Sequence, residues 1–237
     1  IDPDGNGVTG NFYDARGRLV GTDGIDDGKV YLVTNDTEAK TMRKSFKKGK
    51  GPNTDIEAVS SEILLPSQTV RNEMVEAVNR SNSPNEAVGD SDGGFHEEGG
   101  VFMKDKDGNQ IPILAEPGVA ADPLKADHAK IDIFSGLGNT QHVDGTYHVH
   151  PSGTKELPGT FSQDPISGIT TGTTQTQLRG FKQGPSKIYN NRQSDRETTG
   201  IVSGPSYVIG AVNRTVFIYS GLGVVKTIKL ETLKRLK

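Results

Sequence analysis

The sequence predicts a mixed α/β (α+β) fold, and three observations predict it. Two stretches, residues 35–46 and 67–80, read as helices. Two pairs of short apolar runs flank turn-forming residues and read as hairpins. Near the C-terminus, three apolar or β-branched runs separated by short turns read as an antiparallel meander.

In chain order, Phe12-Tyr13 and Arg18-Leu19-Val20 flank Asp14-Ala15-Arg16-Gly17, the first hairpin. Val30 to Val33 is an apolar strand, and Asn35 or Asp36 can cap a helix running to about Phe46. That helix ends in Arg43, Lys44, Lys47, Lys48 and Lys50, which suits a helix dipole. Gly51-Pro52-Asn53 is a break, and Ile63-Leu64-Leu65 leads to Pro66. From Ser67 to Arg80, Val70, Met74 and Val78 recur at i, i+4 and i+8 with Ala77 beside them. Ser81–Gly94 is a polar, Gly/Asp-rich loop. Val101-Phe102-Met103 and Ile111-Pro112-Ile113 flank Asp107-Gly108-Asn109, the second hairpin. Val143–Val149 reads as a strand, and residues 152–180, rich in Gly, Ser and Thr, as a structureless stretch. The meander spans Tyr207–Val212, Thr215–Tyr219 and Val224–Ile228, and a basic tail follows at Lys234–Lys237.

Composition narrows the function classes. The 237 residues hold 30 glycines and 12 prolines, so turns are many and long helices few. A net charge of -3, sparse aromatics and no Trp argue against a nucleic-acid surface. The absence of Cys excludes disulfides, thiolate zinc sites and a cysteine nucleophile, leaving His, Asp or Glu to hold any zinc. No apolar run approaches the roughly 20 residues that span a bilayer. No signal-peptide pattern opens the sequence, which begins at Ile1 and reads as a fragment of a longer chain.

The candidate chemistry lies in two segments. His148-Val149-His150 precedes Pro151, and alternate residues of a strand share a face. The two imidazoles are then side by side and can chelate one metal. Upstream, Phe95-His96-Glu97-Glu98-Gly99-Gly100 brings a carboxylate into a glycine-rich strand, where Glu97 can take a proton from a zinc-activated water. His96 should then point to the opposite face, while His128 and His142 read as structural or surface residues. The calcium-like Asp/Gly stretches at residues 2–7 and 105–109 lack the glutamate an EF-hand needs and read as turns. No G-x-S-x-G elbow is present.

Together these pieces resemble the JAMM (MPN+) metalloprotease family, whose pattern is E-x-x-G entering a strand, then H-x-H-P, then S-x-x-D. Glu97-Glu98-Gly99-Gly100 matches the first element and His148-Val149-His150-Pro151 the second. Gln183-Gly184-Pro185-Ser186 is similar to the serine segment. The aspartate spacing falls on Tyr189, and the nearest acidic substitutes are Asp195 and Asp164. The resemblance implies a mixed β-sheet flanked by helices, with Glu97 as general base and His148 and His150 as zinc ligands. It further implies Ser186 as a polarising group and Asp195, alternatively Asp164 or Tyr189, as the third ligand.

Tyr147–Gly153, Phe181–Ser186 and the meander look like the JAB-like toxin branch of that family, over roughly residues 60–230. Asp2-Pro3-Asp4-Gly5 and Tyr13–Gly24 resemble the end of an Rhs/YD-repeat core. These resemblances imply a core end or linker at residues 1–34 and a toxin domain at 35–237. The implied function is a zinc-dependent peptidase or isopeptidase, secreted or delivered into a target cell as an antibacterial polymorphic toxin. Its partners would be a protein or peptide substrate and a cognate immunity protein, with no nucleic acid and no membrane span. The alternatives are an inactive JAMM-like binding module and a toxin nuclease of unrelated chemistry.

Overall fold

The computed structural model describes residues 10–25, 27–47, 61–125, 129–138, 142–157, 159, 161–163, 167, 170–172, 176–185, 202, 204–220 and 223–237. The fold is mixed α/β, as the sequence predicts. Its first sheet contains β1 (Asn11–Tyr13), β2 (Leu19–Thr22), β3 (Val30–Val33) and β4 (Glu62–Leu64), in the order β2-β1-β3-β4. The first hairpin forms as expected: β1 and β2 are antiparallel, and Asp14 Oδ1 accepts from the N–H of Arg16 and Arg18 in the turn. Because β4 pairs with β3, this sheet draws strands from both sides of residue 34.

Helix α1 (Asp36–Lys47) begins where Asn35 Oδ1 accepts from the N–H of Thr37 and Glu38. Its Ala39 and Met42 join Phe12, Val20, Tyr31 and Val33 in a small core. Phe12 and Tyr31 stack there at 4.9 Å.

The larger sheet has six strands: β5 (Gly99–Lys104), β6 (Gln110–Leu114), β7 (Gly145–His150), β12 (Ser206–Gly210), β13 (Thr215–Ser220) and β14 (Gly223–Lys229). The order is β14-β13-β12-β7-β5-β6. The β5–β6 hairpin and the β12–β13–β14 meander are antiparallel, as expected. β7 is antiparallel to β5 and parallel to β12, which makes the sheet mixed.

Helix α2 (Gln68–Ser81) covers one face of this sheet. Ser67 caps it, its Oγ accepting from Val70 N–H, and also donates its own N–H to Gln110 Oε1, tying the helix start to β6. The apolar stripe seen in the sequence is the buried one: Val70, Met74, Ala77 and Val78 pack against Tyr147, Val149, Tyr207 and Ile209. Since Tyr147 and Val149 face α2, the strand alternation turns His148 and His150 to the other face.

Two expectations are corrected. Residues 152–180 are not structureless. β8 (Thr154–Leu157) pairs with β11 (Gln177–Gly180), and β9 (Phe161–Gln163) pairs with β10 (Thr170–Gly172). β8 and β11 are mostly exposed polar strands, so neither carries an apolar alternation to read. The basic tail also begins within a helix, α3 (Leu230–Arg235), whose Leu230 and Leu233 are fully buried in the main core.

A glycine sets how closely β5 approaches β7. A Cβ on Gly99 would lie 2.4 Å from the Tyr147 carbonyl oxygen and 2.7 Å from His148 Cα. Gly99→Ala is therefore expected to destabilise the protein by about 1–3 kcal/mol. Gly138→Ala, where nothing lies within 4 Å, should change the urea midpoint little. Equal midpoints for the two variants would show that β5 has room to shift away.

Candidate functional site

The β5–β7 ladder brings the two predicted segments together. Gly99 pairs with His148, and Val149 donates its N–H to Glu98 O at 2.8 Å, carrying the contact one step beyond the strand. Glu97 therefore lies beside the end of β7 that carries the histidines. All three side chains are buried, with His148 4%, His150 7% and Glu97 6% exposed.

His148 Nε2 and His150 Nε2 are 3.2 Å apart. His150 Nδ1 lies 2.8 Å from the Lys182 carbonyl oxygen, which can only accept, so Nδ1 carries the proton. In neutral His150 the lone pair is then on Nε2, facing His148. Gln183 holds the carbonyl-bearing segment in place. Its Nε2 donates to Pro151 O and Phe181 O, and its Oε1 accepts from Val212 N–H.

Glu97 Oε1 is 3.9 Å from His150 Nε2. This is longer than a direct hydrogen bond. Two nitrogens each about 2.05 Å from one tetrahedral ion lie about 3.3 Å apart. The imidazole pair has that spacing, so its donor chemistry fits two positions of a zinc site. Among the described residues, no group of three or more His, Cys, Asp or Glu is arranged to hold a metal. Ser186, Tyr189, Asp195 and Asp164 lie outside the described residues, as does His128. His142 is at the surface, with Nε2 4.0 Å from Asp144 Oδ1.

Behind Glu97 is a charged network that sequence reasoning missed. His96 lies outside β5, which begins at Gly99, and is fully buried. Its Nδ1 is 2.6 Å from Asp90 Oδ2 and its Nε2 is 3.4 Å from Glu98 Oε1. Glu98 Oε2 accepts from Arg80 Nε at 2.9 Å, and Arg80 also reaches Glu73 Oε1 at 2.6 Å. The close Glu98 carboxylate, and then the hydrogen bond to Asp90, raise the His96 pKa above the usual histidine value against the opposing effect of burial. Burial pushes Asp90 and Glu98 upward, but their hydrogen bonds from His96 and, respectively, from backbone N–H groups and Arg80 hold both below their usual values. The sequence offered one hint: His96 stands directly before two acids, Glu97 and Glu98, and downstream of Asp90 and Asp92.

Comparison with protein-family models, curated proteins and solved structures finds no match to this chain.

The network makes stability depend on pH at both ends. His96, raised when folded, contributes stability that is complete below its ordinary 6.5 and is lost as pH rises through the raised value. Asp90 and Glu98, lowered when folded, contribute fully above their ordinary 3.8 and 4.5 and lose that contribution as pH falls through the lowered values. His96→Gln should therefore cost most, about 3 kcal/mol, in the window between those limits. Urea midpoints of both proteins across pH check this; a difference that does not vary with pH would mean His96 is not charged when folded.

Proposed function

We propose that the chain is a JAMM-type zinc-dependent peptidase or isopeptidase acting as an antibacterial toxin effector. The observation that carries this reading is the meeting of the two imidazole Nε2 atoms at 3.2 Å beside the buried Glu97 carboxylate. A zinc ion held by His148 and His150 would supply Lewis acidity and lower the pKa of a water toward about 7.

The chain's own groups then divide the work. Lys182 O keeps His150 in the tautomer whose Nε2 offers a lone pair. Glu97 takes the proton of the attacking water and returns it to the leaving amine. Burial around all three side chains excludes bulk water and strengthens their electrostatics. Ser186 is assigned to polarising the scissile carbonyl, and Asp195, alternatively Asp164 or Tyr189, to the third ligand position.

The toxin role rests on the N-terminal likeness to an Rhs/YD-repeat core. It brings with it a protein or peptide substrate in a target cell, delivery by a bacterial secretion system and a cognate immunity protein. A second reading, a binding module without peptidase chemistry, is favoured by Tyr189 standing at the aspartate spacing.

His148→Ala is expected to abolish binding of one equivalent of zinc, measured by metal analysis after dialysis. Glu97→Gln is expected to keep the zinc and lose toxicity on expression in a bacterial cytoplasm. Full toxicity of Glu97→Gln removes the catalytic role; a wild-type chain without metal at neutral pH favours the binding module.

A further inference from the structure

We infer that His96 is a positioning residue for Glu97: hydrogen-bonded to Asp90 through Nδ1 and facing the Glu98 carboxylate with Nε2, it fixes the peptide segment that aims the Glu97 carboxylate at the histidine pair. This inference rests on the proposed zinc site.

The geometry of the segment supports it. Asp90 Oδ2 meets His96 Nδ1 at 2.6 Å and also accepts from Phe95 N–H at 2.9 Å, while Asp90 Oδ1 accepts from Gly93 N–H at 2.8 Å. One buried carboxylate thus gathers residues 93, 95 and 96 around itself. On the other side of Glu97, Glu98 faces His96 Nε2 at 3.4 Å and is anchored to α2 through Arg80. Both neighbours of Glu97 are therefore tied down by side-chain contacts on the face opposite its own.

Backbone bonds complete the clamp. Ser81 Oγ donates to His96 O, Gly118 donates its N–H to Glu97 O, and Val149 donates to Glu98 O. The direction of the Glu97 Cα–Cβ bond, from which the carboxylate reaches toward His150, is set by φ and ψ at residues 96–98, and these contacts oppose any change in them. The raised His96 pKa fits an imidazolium shared between two carboxylates. The partners of the His96 ring are Asp90 and Glu98, so its role in the site is indirect.

The test needs no natural substrate. Acetohydroxamic acid chelates an active-site metal and gives its hydroxyl proton to the neighbouring base, so its affinity reports whether that base is in place. The probe is acetohydroxamate titrated into the full chain loaded with Co²⁺, followed by the visible d–d bands. Glu97→Gln is expected to weaken binding about tenfold, the loss of one charge-assisted hydrogen bond. His96→Ala is expected to weaken it comparably with one equivalent of Co²⁺ retained, and the double variant no further.

A remote core variant, Val216→Ala, controls for destabilisation and should leave the affinity unchanged. Asp90→Asn, which preserves side-chain size, carries the same readout if His96→Ala does not fold. Wild-type affinity in the His96 or Asp90 variant, alongside a loss in Glu97→Gln, overturns the positioning role and leaves the zinc site standing. No Co²⁺ uptake by the wild type, or no loss in Glu97→Gln, overturns the site reading and this inference with it.

Discussion

The candidate site depends on the close approach of β5 to β7 at Gly99 and His148. The pairing joins segments about 50 residues apart, and its closeness depends on residue 99 having no side chain to meet the Tyr147 carbonyl. With the strands in that register, period-two alternation sends Tyr147 and Val149 into the core under α2 and both imidazoles to the far side. The same register places Glu97 two residues past the ladder, where its carboxylate comes near His150. A slip of one residue would turn the histidines into the core and separate them from the carboxylate.

The parts of the fold written in local periodicity were legible. α2 has an apolar stripe and a serine cap, and the meander has three β-branched runs, so both are readable without tertiary context. The H-x-H spacing, once placed on a strand, was enough to put the two rings together. The polar strands β8 and β11 were not legible because neither buries a face, so no alternation marks them. Helix α3 was hidden by its charge: Lys234 and Arg235 read as a tail, while Leu230 and Leu233 on the other side supply the core contacts.

Within the site, what sequence could not show is what comes from the backbone or from distant pairing. The Lys182 carbonyl that orients His150 belongs to a main-chain atom, and the identity of residue 182 has no bearing on it. Gln183 looked like part of a serine motif, yet its amide bridges the end of β7, the chain at Phe181 just after β11 and the turn after β12. The Asp90–His96 contact spans a loop with two left-handed glycines, Gly93 and Gly94, and only that loop's path brings the two side chains together.

The charged network is difficult to explain as a stability device alone. Replacing a buried ion-pair cluster by apolar groups of similar volume is often neutral or stabilising, because desolvation offsets much of the Coulomb gain. What such a cluster provides, and an apolar one lacks, is direction: each hydrogen bond fixes an angle as well as a distance. Here the fixed angles belong to the residues on either side of Glu97, and the network runs through Arg80 into α2, whose apolar stripe is buried in the main core. An apolar residue at position 96 would fill the same space while leaving the 96–97 and 97–98 peptides with fewer constraints. On that comparison, keeping an imidazole between two carboxylates makes most sense where the neighbouring side chain must be aimed.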